Sequence, residues 1–507
     1  MRVRVLGLDG MGLEAFLELG ERGLLPNAAR IAEQFQIAPL RSTTPSYTVP
    51  GWASAFTGVP PGEHGLLWWR RGGPPLPWAD AMADGFASIS EARRPPVWSL
   101  LRGTGARSAV IDVPATFPAV PVDGILVAGF LAPWPHPAAV WPASAYEQVC
   151  SWPSQEGLTD RQRRDPAAYV DSLTEAAAGR LPAFRTWCGS TELDLLIFVL
   201  VGPDRISHLS WGSLVPTGED PLSAAVARYW GVVDSYLAAL LDAVGEGAAA
   251  IVCSDHGSGP PARAAVNTRP FLISRGYWCR EGVGRVLPPG VWPRLRWLRD
   301  RAGPALRRLR RTPAPFGAAP RSGLADALMG DREAAFFLGP GSACDRPLEQ
   351  LAADLRGLRL DGRPVFDRVC RAEEAIGPVA EGVLAPDLIA LTAEDFAVGQ
   401  GSLFDPVCET LRGNRRGRHT ALGMLALTPG PAAGLPAEPR IEDIAPTILS
   451  LLGFAPPEWM SGRPLAPSAA DRMLNESAPA VPVGIGDADP AWERQMEQHL
   501  RALGYLE

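Results

Sequence analysis

Thr48 stands two residues before Pro50 in the run Thr44-Pro-Ser-Tyr-Thr-Val-Pro-Gly-Trp52. A proline in the first turn of a helix is tolerated because the N–H it lacks has no intrahelical partner there. A threonine just ahead of it faces unpaired backbone N–H groups and the positive end of a helix dipole, a place suited to a phosphate-like anion. Taken alone, such a threonine is a helix cap. Its company makes it a candidate nucleophile. Asp9, Asp204 and Asp255 are hard oxygen donors, and His208, His256 and His419 are nitrogen donors. The mixture suits two divalent ions, most naturally Zn²⁺ or Mn²⁺. Asp204-x-x-x-His208 presents both side chains to one ion from a single turn. Asp255 and His256 are adjacent and must diverge or wrap, as residues at a strand end do. Three carboxylates against two dications leave a net charge of about +1, which favours an anionic substrate. Two ions roughly 4 Å apart hold the entering and leaving oxygens of an in-line displacement, one deprotonating Thr48 and the other activating water. Each member has a plainer reading by itself: Asp9-Gly10 is a turn signal, and His419 is a satisfied or exposed histidine. His64 is read as structural or supporting the site, and His136 and His499 as surface residues.

The elements around these residues explain their positions. Arg2-Val-Arg-Val-Leu-Gly-Leu8 alternates and runs into Asp9. Leu193–Val201 is an apolar run ending in Gly202-Pro-Asp204, and Ala248–Cys253 ends in Ser254-Asp255-His256. Buried strands followed by helices imply an α/β sheet, and such sheets place their sites beyond the carboxyl ends of the strands. His419 instead leads into the run Ala421–Leu427, so a loop must bring it round. Further strands are expected near 108–113, 125–130 and 385–391, the last returning the chain to the sheet. Helical stretches are expected near 12–33 and, from the spacing of Val226, Trp230, Val233, Leu237 and Leu241, over 221–244. A short helix from Trp492 to Leu503 closes a C-terminal tail.

At 507 residues the chain exceeds one small core. A formal charge of −7 argues against a general nucleic-acid binder. All 48 basic residues are Arg, which excludes a Schiff-base Lys, a Walker-type phosphate Lys and a Lys general base. The seven Cys are scattered and lack CxxC spacing, so neither a disulfide framework nor a zinc knuckle is indicated. With no signal peptide before the first strand and no apolar run long enough to span a bilayer, the expectation is a cytoplasmic protein. Residues 280–345 change character, with the Arg-rich runs Trp292–Arg301 and Arg307–Arg311. They read as an insertion whose Arg residues face solvent, or recruit an anionic substrate or membrane surface. The expected organisation is a catalytic core over 1–279, an insertion or cap over 280–375, a second part of the core over 376–467 and a tail over 468–507.

The order Asp9, Thr48, Asp204-x-x-x-His208, Asp255-His256, His419 resembles that of the alkaline phosphatase superfamily. It is most similar to the type I phosphodiesterase/nucleotide pyrophosphatase branch, in the group of phosphohydrolase/phosphomutase proteins. Thr57-Gly-Val-Pro-Pro-Gly-Glu-His-Gly65, Val113-Pro-Ala-Thr-Phe-Pro118, Ala385-Pro-Asp-Leu388, Asp443–Gly453 and the tail Leu500–Glu507 add to the likeness. The resemblance implies a mostly parallel central sheet with helices on both faces and an inserted cap. It implies one ion held by Asp204, His208 and His419, and a second held by Asp9, Asp255, His256 and the Thr48 oxygen. Two features depart from the pattern. No Asn follows Thr48 in this stretch, where nucleotide pyrophosphatases carry one that touches the phosphate, so the Val49 N–H and the neighbourhood of Gly51 become the candidate substrate contacts. Thr48-Val-Pro-Gly-Trp52 also lacks the Cys or Ser with Pro and Arg of the sulfatase branch.

The expected function is a metal-dependent phosphoric ester hydrolase acting on a small anionic substrate through a phosphothreonine intermediate. Phosphodiesters are favoured over monoesters, because no cation follows Thr48 before Arg70 and Gly51 leaves space for a second ester group. Trp52, Trp68 and Trp69 are either core or the lining of a pocket for that group. The rivals are a phosphomutase on the same scaffold and a non-catalytic binding protein.

Overall fold

The computed structural model describes residues 1–74, 76, 85–154, 164–282, 316–320, 324–339, 346–401, 405–413, 416–429, 434–466, 472–474 and 490–503. The first apolar run forms β1 (Val3–Leu8), followed by α1 (Leu13–Glu21) and α2 (Pro26–Gln34). The single stretch expected near 12–33 is two helices because Gly23 adopts φ +73° and Pro26 starts a new first turn. Next come β2 (Gln36–Arg41), α3 (Thr48–Thr57), β3 (Ser108–Val113), β4 (Gly124–Ala128) and β5 (Val140–Trp141). They lead to α4 (Pro166–Gly189), β6 (Leu195–Leu200), α5 (Gly202–Leu209), α6 (Pro221–Gly245), β7 (Ala249–Cys253) and β8 (Gly257–Gly259). After the inserted region begins, the chain forms β9 (Leu324–Leu328), β10 (Glu333–Leu338), α7 (Arg346–Gly357), β11 (Phe366–Arg371) and β12 (Leu388–Thr392). It ends with β13 (Arg418–Thr420), β14 (Leu422–Thr428), α8 (Ile444–Leu451) and α9 (Pro490–Leu503).

Eight strands make one sheet in the order β2-β14-β7-β1-β6-β3-β4-β5. The inner five, β7, β1, β6, β3 and β4, are mutually parallel. β14 runs antiparallel to both β7 and β2, and β5 antiparallel to β4. Successive side chains of a strand point to opposite faces, and here both faces are covered. Leu195, Ile197 and Val199 pack with Trp52 and Phe56 of α3 and Ile444 and Ile448 of α8. Leu196, Phe198 and Leu200 pack with Phe184 of α4 and Tyr236 and Leu237 of α6. That two-sided burial is why these strands read as unbroken apolar runs. Each such side chain, fully buried, contributes about 1.5–3 kcal/mol.

Two strands depart from expectation. β2 contains Pro39 and alternates weakly, so its sequence carries no strand signal; it lies at the sheet edge, where a proline removes no ladder bond. The run at 385–391 does not return to the central sheet. It forms β12, which pairs antiparallel with β10 and β11 in a second sheet of order β9-β10-β12-β11. An apolar run records burial on both faces and does not say in which sheet. One face of this sheet carries Leu348, Leu351 and Leu355 of α7, and the other covers Leu67 and Trp68, just beyond α3. β12 therefore ties residues assigned to the second part of the core to strands of the cap, and the four-segment division remains a proposal. The Arg-rich runs at 292–311 lie outside the described residues. Among the described residues no helix is long and apolar enough to cross a membrane.

Candidate active site

Asp9 follows β1, Asp204 and His208 lie one turn apart on α5 beyond β6, and Asp255 and His256 follow β7. These strands are neighbours in the sheet, so three carboxylates and two imidazoles meet at their carboxyl ends. Gly10 makes the approach close enough. It adopts φ +70°, and a Cβ there would lie 2.8 Å from the Asp204 Cβ. His419 arrives by a short ladder rather than a loop: β13 pairs antiparallel with β8, placing His419 opposite Ser258. Its ring centroid lies 4.3 Å from that of His256 and 4.8 Å from that of His208.

The donors fall into two groups. His208 Nε2 and His419 Nε2 are 2.9 Å apart, and they lie 3.3 and 3.5 Å from Asp204 Oδ1. His256 Nε2 lies 3.7 Å from Asp9 Oδ1 and 3.3 Å from Asp255 Oδ2. In that second group Asp9 Oδ1, Asp255 Oδ2 and His256 Nε2 are buried and have no hydrogen-bond partner. Three buried polar atoms that face one another without partners are costly in a bare protein. A divalent cation coordinated by all three removes the cost, so these residues fit a metal. Asp204, His256 and His419 also converge within 4.8 Å, which joins the two groups into one centre.

The electrostatics agree with that fit. Burial and then the Asp255 and Asp204 charges push the Asp9 carboxyl well above its usual range, and burial and Asp204 do the same to Asp255. Burial works on Asp204 in the same direction, but His208 and His419 overcome it and hold this carboxyl well below the usual range. Burial pushes His256 down to about 3. It acts likewise on His419, but Asp331 and Asp204 outweigh it and raise this imidazole to about 9.

Thr48 opens α3 and is buried. Thr48, Gly51 and Trp52 sit at i, i+3 and i+4, on one face of the helix. That face meets the carboxylates. Trp52 Nε1 donates to Asp9 Oδ2 at 2.8 Å, and a Cβ on Gly51 would lie 2.9 Å from the Asp255 Cβ. This corrects the expectation of open space beside Gly51: Asp255 fills it. Trp52, Trp68 and Trp69 are all buried in the cores, and Trp69 stacks on Tyr47 with centroids 4.8 Å apart, so they do not line an open pocket. The N-cap Tyr47 supplies no side-chain cap to the first turn, which contains Val49. His64 lies apart from the metal donors. Its Nδ1 accepts the Leu66 N–H at 3.1 Å and its Nε2 lies 3.0 Å from Ser54 Oγ, bracing α3. His136 caps a short turn by accepting the Ala138 N–H, and the side chain of His499 lies outside the described residues.

Three further residues meet the site from positions without a local sequence signal. Asp331, in the β9–β10 turn, has Oδ2 3.5 Å from His419 Nδ1. Glu333, two residues on, accepts from Ser46 Oγ at 3.1 Å. Arg205, beside Asp204, is buried with its guanidinium 4.2 Å from the centroid of Phe130. Gly330-Asp-Arg-Glu333 between two short apolar runs looks like a solvated hairpin tip, and no local signal marks it otherwise.

Residues 3–301 match the profile of the type I phosphodiesterase/nucleotide pyrophosphatase family, and the chain belongs to that family. It is an enzyme, a hydrolase of phosphoric esters, in a family of metal-dependent enzymes. Among solved structures, phosphonoacetate hydrolase from Sinorhizobium meliloti 1021 in complex with phosphonoformate is 18% identical, with a TM-score of 0.51 over 89% of this chain and 96% of that one. Murine ectonucleotide pyrophosphatase/phosphodiesterase 5 is 14% identical, with a TM-score of 0.46 over 90% of this chain and 96% of that one. At 18% identity the likeness to the phosphonoacetate hydrolase is one of fold, the alkaline-phosphatase-like arrangement of a mostly parallel sheet between helices. A comparison with curated proteins gives no sequence match.

Proposed function

We propose that the chain is a phosphodiesterase that works through Thr48 and two divalent ions, Zn²⁺ before Mn²⁺. The observation that carries this is the convergence of Asp9 Oδ1, Asp255 Oδ2 and His256 Nε2, buried, mutually facing and without hydrogen-bond partners, under the helix face that bears Thr48. Asp9, Asp255 and His256, with the Thr48 oxygen, would hold one ion; Asp204, His208 and His419 would hold the other. When bound, the ions supply Lewis-acid polarisation of the phosphoryl oxygens. The chain does the rest. Thr48 Oγ1 attacks phosphorus and gives its proton to solvent, the bond from phosphorus to one ester oxygen breaks, and that oxygen takes up a proton from solvent and leaves as the alcohol, the second ester group staying on the phosphothreonine. Water then attacks the same phosphorus, the bond from phosphorus to Thr48 Oγ1 breaks, and the phosphate monoester leaves as Thr48 regains a proton. The Val49 N–H and the uncapped first turn of α3 offer donors to the phosphoryl oxygens as charge builds on them. The Gly51 side of α3 abuts Asp255, so Gly51 serves the site as a close backbone approach.

Preference for a diester rests on family membership and on a chain without Lys; Asp255 fills the space beside Gly51, which gives a second ester group no room there. The free Cys150, Cys188, Cys253, Cys370 and Cys408 are in keeping with a reducing, cytoplasmic setting. One enzyme preparation given matched aryl phosphate diester and monoester, with and without chelator, tests the proposal. It expects higher kcat/KM on the diester and loss of both activities on metal removal. A clear monoester preference overturns the diester reading, and full activity in protein shown to be metal-free overturns the metal reading.

A further inference from the structure

We propose that Asp331 is a positioning residue for His419, fixing the imidazole so that Nε2 faces an ion shared with Asp204 and His208. The two nitrogens of His419 look in different directions. Nε2 lies 2.9 Å from His208 Nε2 and 3.5 Å from Asp204 Oδ1. Nδ1 lies 3.5 Å from Asp331 Oδ2, and the same carboxylate oxygen accepts the backbone N–H of His419 at 3.1 Å. A carboxylate facing Nδ1 keeps the proton on that nitrogen, leaves the Nε2 lone pair for a cation, and makes that lone pair more basic.

The turn that bears Asp331 is pinned on several sides. The Asp331 carbonyl accepts the Val398 N–H at 2.9 Å. Arg332 Nε donates to the Thr392 carbonyl at 3.2 Å. Glu333 Oε1 accepts from Ser46 Oγ at 3.1 Å, two residues before Thr48. One turn of the second sheet thus holds Ser46 on the nucleophile's approach and the backbone of His419, and sets a carboxylate beside the Nδ1 side of its ring. The side chain of Asp331 is 24% exposed while that of His419 is 4% exposed, so the carboxylate sits at the rim and the ring within. Since His208, Asp331 and His419 also offer atoms within 4.8 Å of one another, direct coordination by Asp331 is the competing arrangement. The ring disfavours it: the nitrogen nearest Asp331 is not the one that meets Asp204.

This inference rests on the two-ion reading above. Its test is Zn²⁺ binding to the full chain by competition with a chelator, for wild type, Asp331→Ala and Asp331→Asn. Asp331→Ala is expected to weaken one of two sites about 10–100-fold, with two ions still bound at saturation and the metal-free melting temperature unchanged. Asp331→Asn keeps an oxygen acceptor and is expected to lose less. It supplies the same comparison if the alanine variant does not fold. Unchanged affinity at both sites, or an equal drop in metal-free stability, overturns the assignment. Loss of one ion even at saturation makes Asp331 a ligand instead. A wild-type chain that takes up no divalent ion overturns the metal reading itself, whereas normal wild-type uptake with an indifferent variant overturns only the role of Asp331.

Discussion

The indole N–H of Trp52 donates to Asp9 Oδ2 at 2.8 Å, which fastens the helix bearing Thr48 to the carboxylate that ends β1. The bond leaves Asp9 Oδ1 to face His256 Nε2. Trp52→Phe keeps an aromatic ring in the core and removes the donor. The expected result is weaker metal binding at the Asp9, Asp255 and His256 set, by about 10–100-fold as for other partners of metal ligands, with the second site unaffected. Metal titration of the purified variant checks it, and wild-type affinity at both sites would refute it.

Gly51 is a second point of contact between α3 and the carboxylates. A Cβ there would lie 2.9 Å from the Asp255 Cβ and 3.2 Å from the Asp255 carbonyl oxygen. Neither atom can swing aside, so Gly51→Ala must move α3 or the end of β7. Overpacking of this kind costs roughly 1–3 kcal/mol. The expectation is a lower melting temperature together with reduced kcat. A variant that matches wild type in both would show that the contact yields without consequence.

Thr48→Ala is expected to lose at least ~10³-fold in turnover while still binding metal, because a nucleophile is harder to replace than one ligand of several. Steady-state rates and metal content on the same sample decide it. Near-normal turnover would move the attack elsewhere, to Ser46 or Thr44.

His64 carries a pH dependence of stability. It is fully buried, and burial pushes its imidazole from 6.5 down to about 3. Between those values the unfolded chain takes up a proton that the folded chain refuses, so this contribution is complete above pH 6.5 and is lost as pH falls toward about 3. His64→Gln can still hydrogen-bond and does not titrate. Its melting temperature should fall less steeply than that of wild type as the pH is lowered below 6.5, and equal slopes would contradict the assignment.

Much of the site's placement was legible because chemistry and burial coincide in the sequence. Asp9, Asp204 and Asp255 each follow an apolar run, and a parallel sheet brings the carboxyl ends of its strands together. The place of Thr48 at the start of α3 was legible through Pro50. What escaped lies where local pattern is silent. Pro39 hides an edge strand. The run at 385–391 records burial without naming its sheet. Asp331 and Glu333 occupy a hairpin tip whose role depends on what the tip docks against, a tertiary fact. Gly51 misled for a related reason: a missing side chain leaves room, and only the fold shows that Asp255 takes it.

Whether Thr48 is the nucleophile is decided by mass spectrometry of the metal-loaded enzyme, acid-quenched during turnover of an aryl phosphate diester and digested with trypsin. A phosphoryl ester adduct is expected on Thr48 within the peptide Ser42–Arg70, formed only when divalent metal is present. Turnover with Thr48 unmodified, or an adduct on another residue of that peptide, would contradict it.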